Sequence, residues 1–183
     1  MDEGNPTMKI EYVVKRKGRP HIAEVLQGGK IIADLDESKD FVSVLTTMNG
    51  RTYYFTPRVD GKIIPFSIMV YESNDSQRKT ILKIKGNCFS HGGQMYMIGA
   101  IPEGKSAKDI GRSKYICRLV NFPFDDMDKI DMHVREKLGR YRGIEVGQLS
   151  GLGSIGHKIT LDEELEEISL PLSVSSYLIY STG

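Results

Sequence analysis

A chain of 183 residues with formal net charge +1, 27% charged and 39% hydrophobic side chains lies outside the low-hydrophobicity, high-charge regime of disordered proteins and is long enough to bury a core without disulfide staples. With 25 Lys and Arg against 24 Asp and Glu, no global field draws it to nucleic acid, so electrostatic recognition has to come from local patches. Two cysteines, Cys88 and Cys117, are too few for a secreted disulfide framework and suit a reducing compartment.

No run reaches the ~18 apolar residues of a membrane-spanning helix, and the polar opening segment lacks the apolar core of a signal peptide. A cytoplasmic location without a transmembrane segment is therefore expected. Residues 1–8 read as a flexible amino terminus and 9–183 as one β-rich domain, with any subdivision falling in the loop 102–111.

Taken in chain order, residues 9–15 read as a strand that runs into a basic block, Lys15-Arg16-Lys17-Gly18-Arg19; an acidic block, Asp34-Leu35-Asp36-Glu37, follows. Residues 41–48 and 51–56 are β-branched and aromatic runs separated by Asn49-Gly50, the sequence of a type I′ hairpin turn. A turn at Val59-Asp60-Gly61 leads to a third run, 62–71, in which Pro65 lacks an amide donor and favours an edge or a bulge. Residues 80–85 and 94–101 read as a second hairpin turning at Ser90-His91-Gly92-Gly93. Residues 102–111 read as a loop and 114–120 as a strand.

One segment breaks the β pattern. Met127, Ile130, Val134, Leu138 and Tyr141 recur at helical spacing behind Pro123, Asp125 and Asp126, which predicts an amphipathic helix over about 126–142 with acids at its start and Arg135, Lys137, Arg140 and Arg142 at its end. Residues 143–150 read as a glycine-rich loop, 155–161 as a strand, and 162–167 as a helical turn or a solvated loop. Residues 168–174 and 177–180 read as short strands. The fold class expected is β-rich α+β: a mostly antiparallel meander or barrel-like sheet with one principal helix.

Catalytic motifs are weak. Gly151-Leu152-Gly153-Ser154-Ile155-Gly156 spells G-x-G-x-x-G, but too little chain follows for a dinucleotide fold. Gly99 to Ser106 spells G-x-x-x-x-G-K-S after an apolar strand, yet Pro102 removes an amide from the cradle, Glu103 brings a carboxylate toward phosphate, and Gly111 interrupts the helix that should follow. Cys88 and His91 have half of a metal-site spacing and no second half. Ser154 has Leu152 where a nucleophile elbow needs glycine.

These absences favour a non-enzymatic reading with no cofactor and no metal. A candidate anion site comprises Lys105, Ser106, Arg112, Lys114 and Arg118. A candidate partner surface comprises Lys15, Arg16, Lys17, Arg19, Arg135, Arg140 and Arg142 on the basic side, and Asp162, Glu163, Glu164, Glu166 and Glu167 on the acidic side.

Two short resemblances accompany these residues. Lys114-Tyr115-Ile116-Cys117-Arg118 with Gln148-Leu149-Ser150-Gly151-Leu152-Gly153 resembles the paired motifs of PilZ cyclic-di-GMP receptors, departing from them at Lys114, at Gln148 and in the intervening helix. Asn121-Phe122-Pro123-Phe124 with Tyr141-Arg142-Gly143 is similar to a strand, Pro-Phe and helix-start arrangement in rhabdovirus matrix proteins. Neither assigns a family.

The function expected is non-catalytic binding or structural self-assembly through segregated charge, with a protein partner or a second copy. The alternatives are a receptor for a nucleotide or other phosphate ligand, a viral matrix-like structural role, and contact with nucleic acid through the basic blocks.

Overall fold

The structure, a computed structural model, describes residues 9–18, 21–39, 42–59, 61–63, 66–74, 77–111, 113–120, 142–153 and 155–181. The strands are β1 (Lys9–Arg16), β2 (Ile22–Gln27), β3 (Lys30–Lys39), β4 (Val42–Thr47), β5 (Thr52–Thr56), β6 (Arg58–Val59), β7 (Lys62–Ile63), β8 (Ile68–Asn74), β9 (Gln77–Ile84), β10 (Cys88–His91), β11 (Gln94–Ile98), β12 (Ile101–Pro102), β13 (Lys114–Leu119), β14 (Arg142–Gly151) and β15 (Gly156–Asp162). A 3-10 segment, Glu163–Ile168, then leads into one α-helix, α1 (Ser169–Ser181).

The main sheet runs β10-β11-β13-β14-β15-β1-β2-β3-β4-β5-β8-β9. Its two ends meet at an antiparallel bridge, Lys85 to Cys88, so the sheet is a nearly closed barrel in which the first strand pairs with the last. The expected barrel-like antiparallel meander is what forms.

The pleat explains the core. Val14, Val25, Leu35, Leu45, Phe55, Val70, Leu82, Ile84, Ile98, Ile116, Ile159 and Leu161 point inward and are buried in one cluster with Leu165, Leu172, Val174 and Tyr177. Helix α1 touches β1 and β15 on one side of the ring and β8 and β9 on the other, and residues 171–177 are all buried. It therefore lies inside the barrel.

Its direction follows from two contacts: Tyr12 Oη lies 3.1 Å from Ser169 Oγ, while Arg16 Nε donates to Tyr177 Oη at 3.2 Å. Eight helical steps of 1.5 Å and four strand steps of ~3.3 Å cover nearly the same length, so α1 runs alongside β1. The end of the barrel at Arg16 is called the upper end below, and the end at Lys9 the lower.

Several expectations are corrected. Residues 168–180 form not strands but a 3-10 segment and α1. An amphipathic stripe is the signature of a helix with one wet face, and this helix has none, so its apolar and serine positions carry no 3.6-residue period. Ser173, Ser175 and Ser176 are buried with the aliphatics, and Ser176 Oγ donates back to the Leu172 carbonyl at 2.8 Å. Pro171 is tolerated because it sits in the first helical turn, where a missing N–H costs no intrahelical bond.

Residues 143–150 belong to β14 rather than to a loop. Gly143 and Gly147 are there because a Cβ would meet the Arg118 carbonyl oxygen at 2.5 Å and Leu161 Cδ2 at 2.8 Å, respectively. The hairpin at 42–56 forms, but its turn is not type I′: Gly50 alone has positive φ (90°), and the Gly50 N–H donates to Thr47 O at 3.0 Å, as in a three-residue loop ending in a left-handed glycine.

Two-residue turns with both central φ positive are found at Gly28-Gly29, at Gly92-Gly93 and, where the barrel closes, at Gly86-Asn87, with φ 56° and 68°. The second hairpin is also corrected, since β11 returns on β10 and not on residues 80–85. The run 62–71 is divided between β7 and β8. The helix expected at about 126–142 lies outside the described residues except for Arg142, which begins β14.

A second apolar cluster sits on the outer face of the wall. Cys88, Met95, Met97, Tyr115, Cys117 and Leu119 pack with Ala100 and Ile110 of the loop between β11 and β13.

Candidate functional site

The pleat of β1 splits the basic block. Arg16 points inward to Tyr177, whereas Lys15 and Lys17 point outward. Lys17 Nζ lies 2.6 Å from Glu24 and 3.5 Å from Asp34, so the first acidic block answers the first basic one across the sheet. Within the first basic block, Arg16 and Lys17 are thereby matched by acids of the neighbouring strands.

At the upper rim Tyr177 also hydrogen-bonds Glu37, and His157 meets the Tyr177 ring edge-on at 5.6 Å. Burial raises the Glu37 pKa, against the opposing pull of Arg16, His21 and Tyr177. Burial lowers the His157 pKa and Arg16 adds to it, while His157 Nδ1 is buried without a hydrogen-bond partner. Glu37 and His157 thus flank Tyr177, each with its charged form disfavoured by burial. Arg16, Tyr177 and Glu37 are spent on one another, and the arrangement clasps the end of α1 to the wall. Glu37 and Tyr177 were not among the expected site residues; the signal was the parity of Arg16 on its strand.

The lower end is closed by the second acidic block. Glu164 accepts from Tyr96 Oη at 2.8 Å and lies 3.8 Å from Arg118 Nε, while Leu165 and Ile168 are buried. Burial, and then the bond to Glu164, raise the Tyr96 pKa; desolvation raises that of Asp162. Glu163, Glu166 and Glu167 remain exposed.

The expected anion residues do not converge. Lys105 Nζ donates to Tyr115 Oη at 3.1 Å and stands 4.4 Å over its ring. Ser106 is engaged in a capping box with Asp109, which accepts from its N–H and hydroxyl at 2.8 and 2.9 Å. The segment after Ser106 is a three-residue 3-10 turn, Ala107–Asp109, so no helix amino terminus faces a phosphate. Lys114 is at the upper rim, 5.8 Å from the Tyr180 ring, and Arg118 is at the lower end.

Lys105 does gain one neighbour from the partner-surface set: Arg142 Nη1 donates to its carbonyl oxygen at 2.6 Å. Arg19, Arg112, Arg135 and Arg140 lie outside the described residues. The G-x-G-x-x-G match is the turn of the β14–β15 hairpin. Cys88 and Cys117 are buried free thiols on either side of Met97, each pushed up to about 12, first by burial. Among the described residues no group of three His, Cys, Asp or Glu could hold a metal, and no helix is long and apolar enough to cross a membrane.

Among the described residues, an open groove lies on the outer wall. Glu11, Val13 and Lys15 of β1, Leu26 of β2, the Gly28-Gly29 turn, and Leu152 and Ile155 of the β14–β15 turn line a groove of about 320 Å³. Lys15 makes no ion pair among the described residues, whereas Glu11 holds Lys158 at 3.3 Å. Comparison with protein-family models, with curated proteins and with solved structures finds no match to this chain.

Proposed function

We propose that this protein is a non-catalytic binding and assembly protein: a rigid barrel, filled by its own helix, whose outer wall is the working surface. The observation that carries the reading is α1. It occupies the space in which a barrel of this size otherwise holds a ligand, and its clasp to the wall consumes the polar groups at the upper rim. Buried free thiols suit a cytoplasmic setting for such a protein.

Static light scattering of the full chain over a concentration series tests it. The mass is expected to rise above the 20.5 kDa of one chain, less so at high salt, where charged contacts are screened. A mass that stays at one chain at every concentration and salt overturns the assembly reading.

A second reading, a receptor for a phosphate-bearing ligand, is favoured by the bond from the Arg142 guanidinium to the Lys105 backbone carbonyl, which makes two basic residues neighbours. Thermal-shift screening against nucleotides and cyclic dinucleotides separates it from the first. Saturable stabilisation lost in Lys105→Ala supports a receptor, and no shift with any of them removes it.

A further inference from the structure

We propose that the outer-wall groove over β1 is a contact between two copies of this chain, related by a two-fold axis, with their β1 strands crossing antiparallel over Val13. The inference deepens the assembly reading above and rests on it. Along β1 the outward side chains are Glu11, Val13 and Lys15: an acid, an apolar group and a base, evenly spaced about one centre.

A two-fold axis between the faces at Val13, perpendicular to the strands, sets Glu11 of each copy opposite Lys15 of the other. The same rotation lays Val13 and its registered neighbours, Leu26 and Ile31 on one side and Lys158 on the other, against their own counterparts, each Lys158 being held by the Glu11 of its own copy at 3.3 Å. An axis along the strands would instead oppose Lys15 to Lys15 and Glu11 to Glu11. The charge order therefore selects the antiparallel crossing, and a self-complementary patch is what an isologous dimer needs.

The surroundings fit a second protein surface. Ile31, Leu152 and Ile155 are 44%, 39% and 51% exposed, so large aliphatic groups stand out around Val13 and Leu26, with Glu11, Lys15 and Lys158 among them, a mix of apolar and charged groups that a protein interface accommodates. The Glu11–Lys158 pair is about half exposed. Such pairs contribute little by themselves, and the Glu11 carboxylate keeps lone pairs for a second cation.

Sedimentation velocity of the full chain and two charge variants tests the contact. Wild type is expected to form a dimer as concentration rises. Glu11→Lys and Lys15→Glu are each expected to weaken it by at least about tenfold, since every contact at the margin becomes like-charged. Mixed together, the two variants are expected to form a heterodimer, because each lysine of one then faces a glutamate of the other. If a single variant melts early, the double variant Glu11→Lys with Lys15→Glu carries the test, with a dimer expected.

Single variants that dimerise like wild type, or a mixture that stays monomeric while wild type associates, overturn this contact and leave the assembly reading standing. A wild-type chain that is monomeric throughout overturns both.

Discussion

Two leucines measure whether the helix is the core of the barrel. Leu172 is fully buried on α1, whereas Leu152 stands 39% exposed in the outer groove. Leu172→Ala removes the transfer energy of the lost methyl and methine carbons and leaves a cavity that a closed wall collapses around poorly, a cost of about 3–4 kcal/mol. For a chain of this length each kcal/mol lowers Tm by roughly 2–4 °C, so a fall of roughly 6–16 °C is expected.

Leu152→Ala changes a surface site of the single chain and, at a concentration low enough to keep the protein monomeric, is expected to stay within about 0.5 kcal/mol. Urea unfolding followed by far-UV circular dichroism, with equal slopes for all three proteins, gives both values. A Leu172→Ala loss below about 1 kcal/mol, or equal losses at the two leucines, would refute a helix packed inside the wall.

Other outcomes follow from the same contacts. Gly156→Ala puts a Cβ 1.9 Å from the Val14 carbonyl oxygen, backbone that cannot step aside; a loss of about 3 kcal/mol or more is expected in the same unfolding assay, and a neutral result would contradict the close approach of β15 to β1. Because the folded His157 pKa is lowered from 6.5, the unfolded chain takes its proton first, and stability present above that value is lost as pH falls below it. Glu37 acts in the opposite sense, losing stability as pH rises above 4.5. His157→Gln should therefore flatten the fall in Tm between about pH 7 and pH 5.5, and an unchanged slope counts against the buried imidazole. Both cysteines should resist a thiol reagent in the folded protein and react once it is unfolded in denaturant; rapid labelling of native protein would contradict their burial.

What could be read from the chain alone depended on how each segment meets water. Strands such as Lys9–Arg16 and Thr52–Thr56 have one wet and one dry face and declare themselves by alternation. Helix α1 is dry on every side and carries Pro171, Val174 and Ile179, so its composition resembles that of a buried strand. Gly143 and Gly147 suggested a loop because the close approach of Arg118 and Leu161, which calls for them, depends on strand pairing that no local window contains.

The site suffered more. Lys15, Arg16 and Lys17 look like one patch in sequence, and the pleat assigns them to a groove, a clasp and an ion pair. Glu37, His157 and Tyr177 come together from three distant stretches, and nothing in their spacing announces it.

Helix α1 follows every strand of the barrel in the chain, although all of them pack around the space it fills. During synthesis the hairpins from β1 onward can pair locally as they emerge, but their inner face has nothing to close on until residues 169–181 arrive. The pairing of β15 with β1 spans nearly the whole chain and carries a high loop-closure cost. Barrel closure and helix insertion are thereby coupled into one late event, and a chain interrupted before Ser169 would present the whole apolar inner wall to solvent.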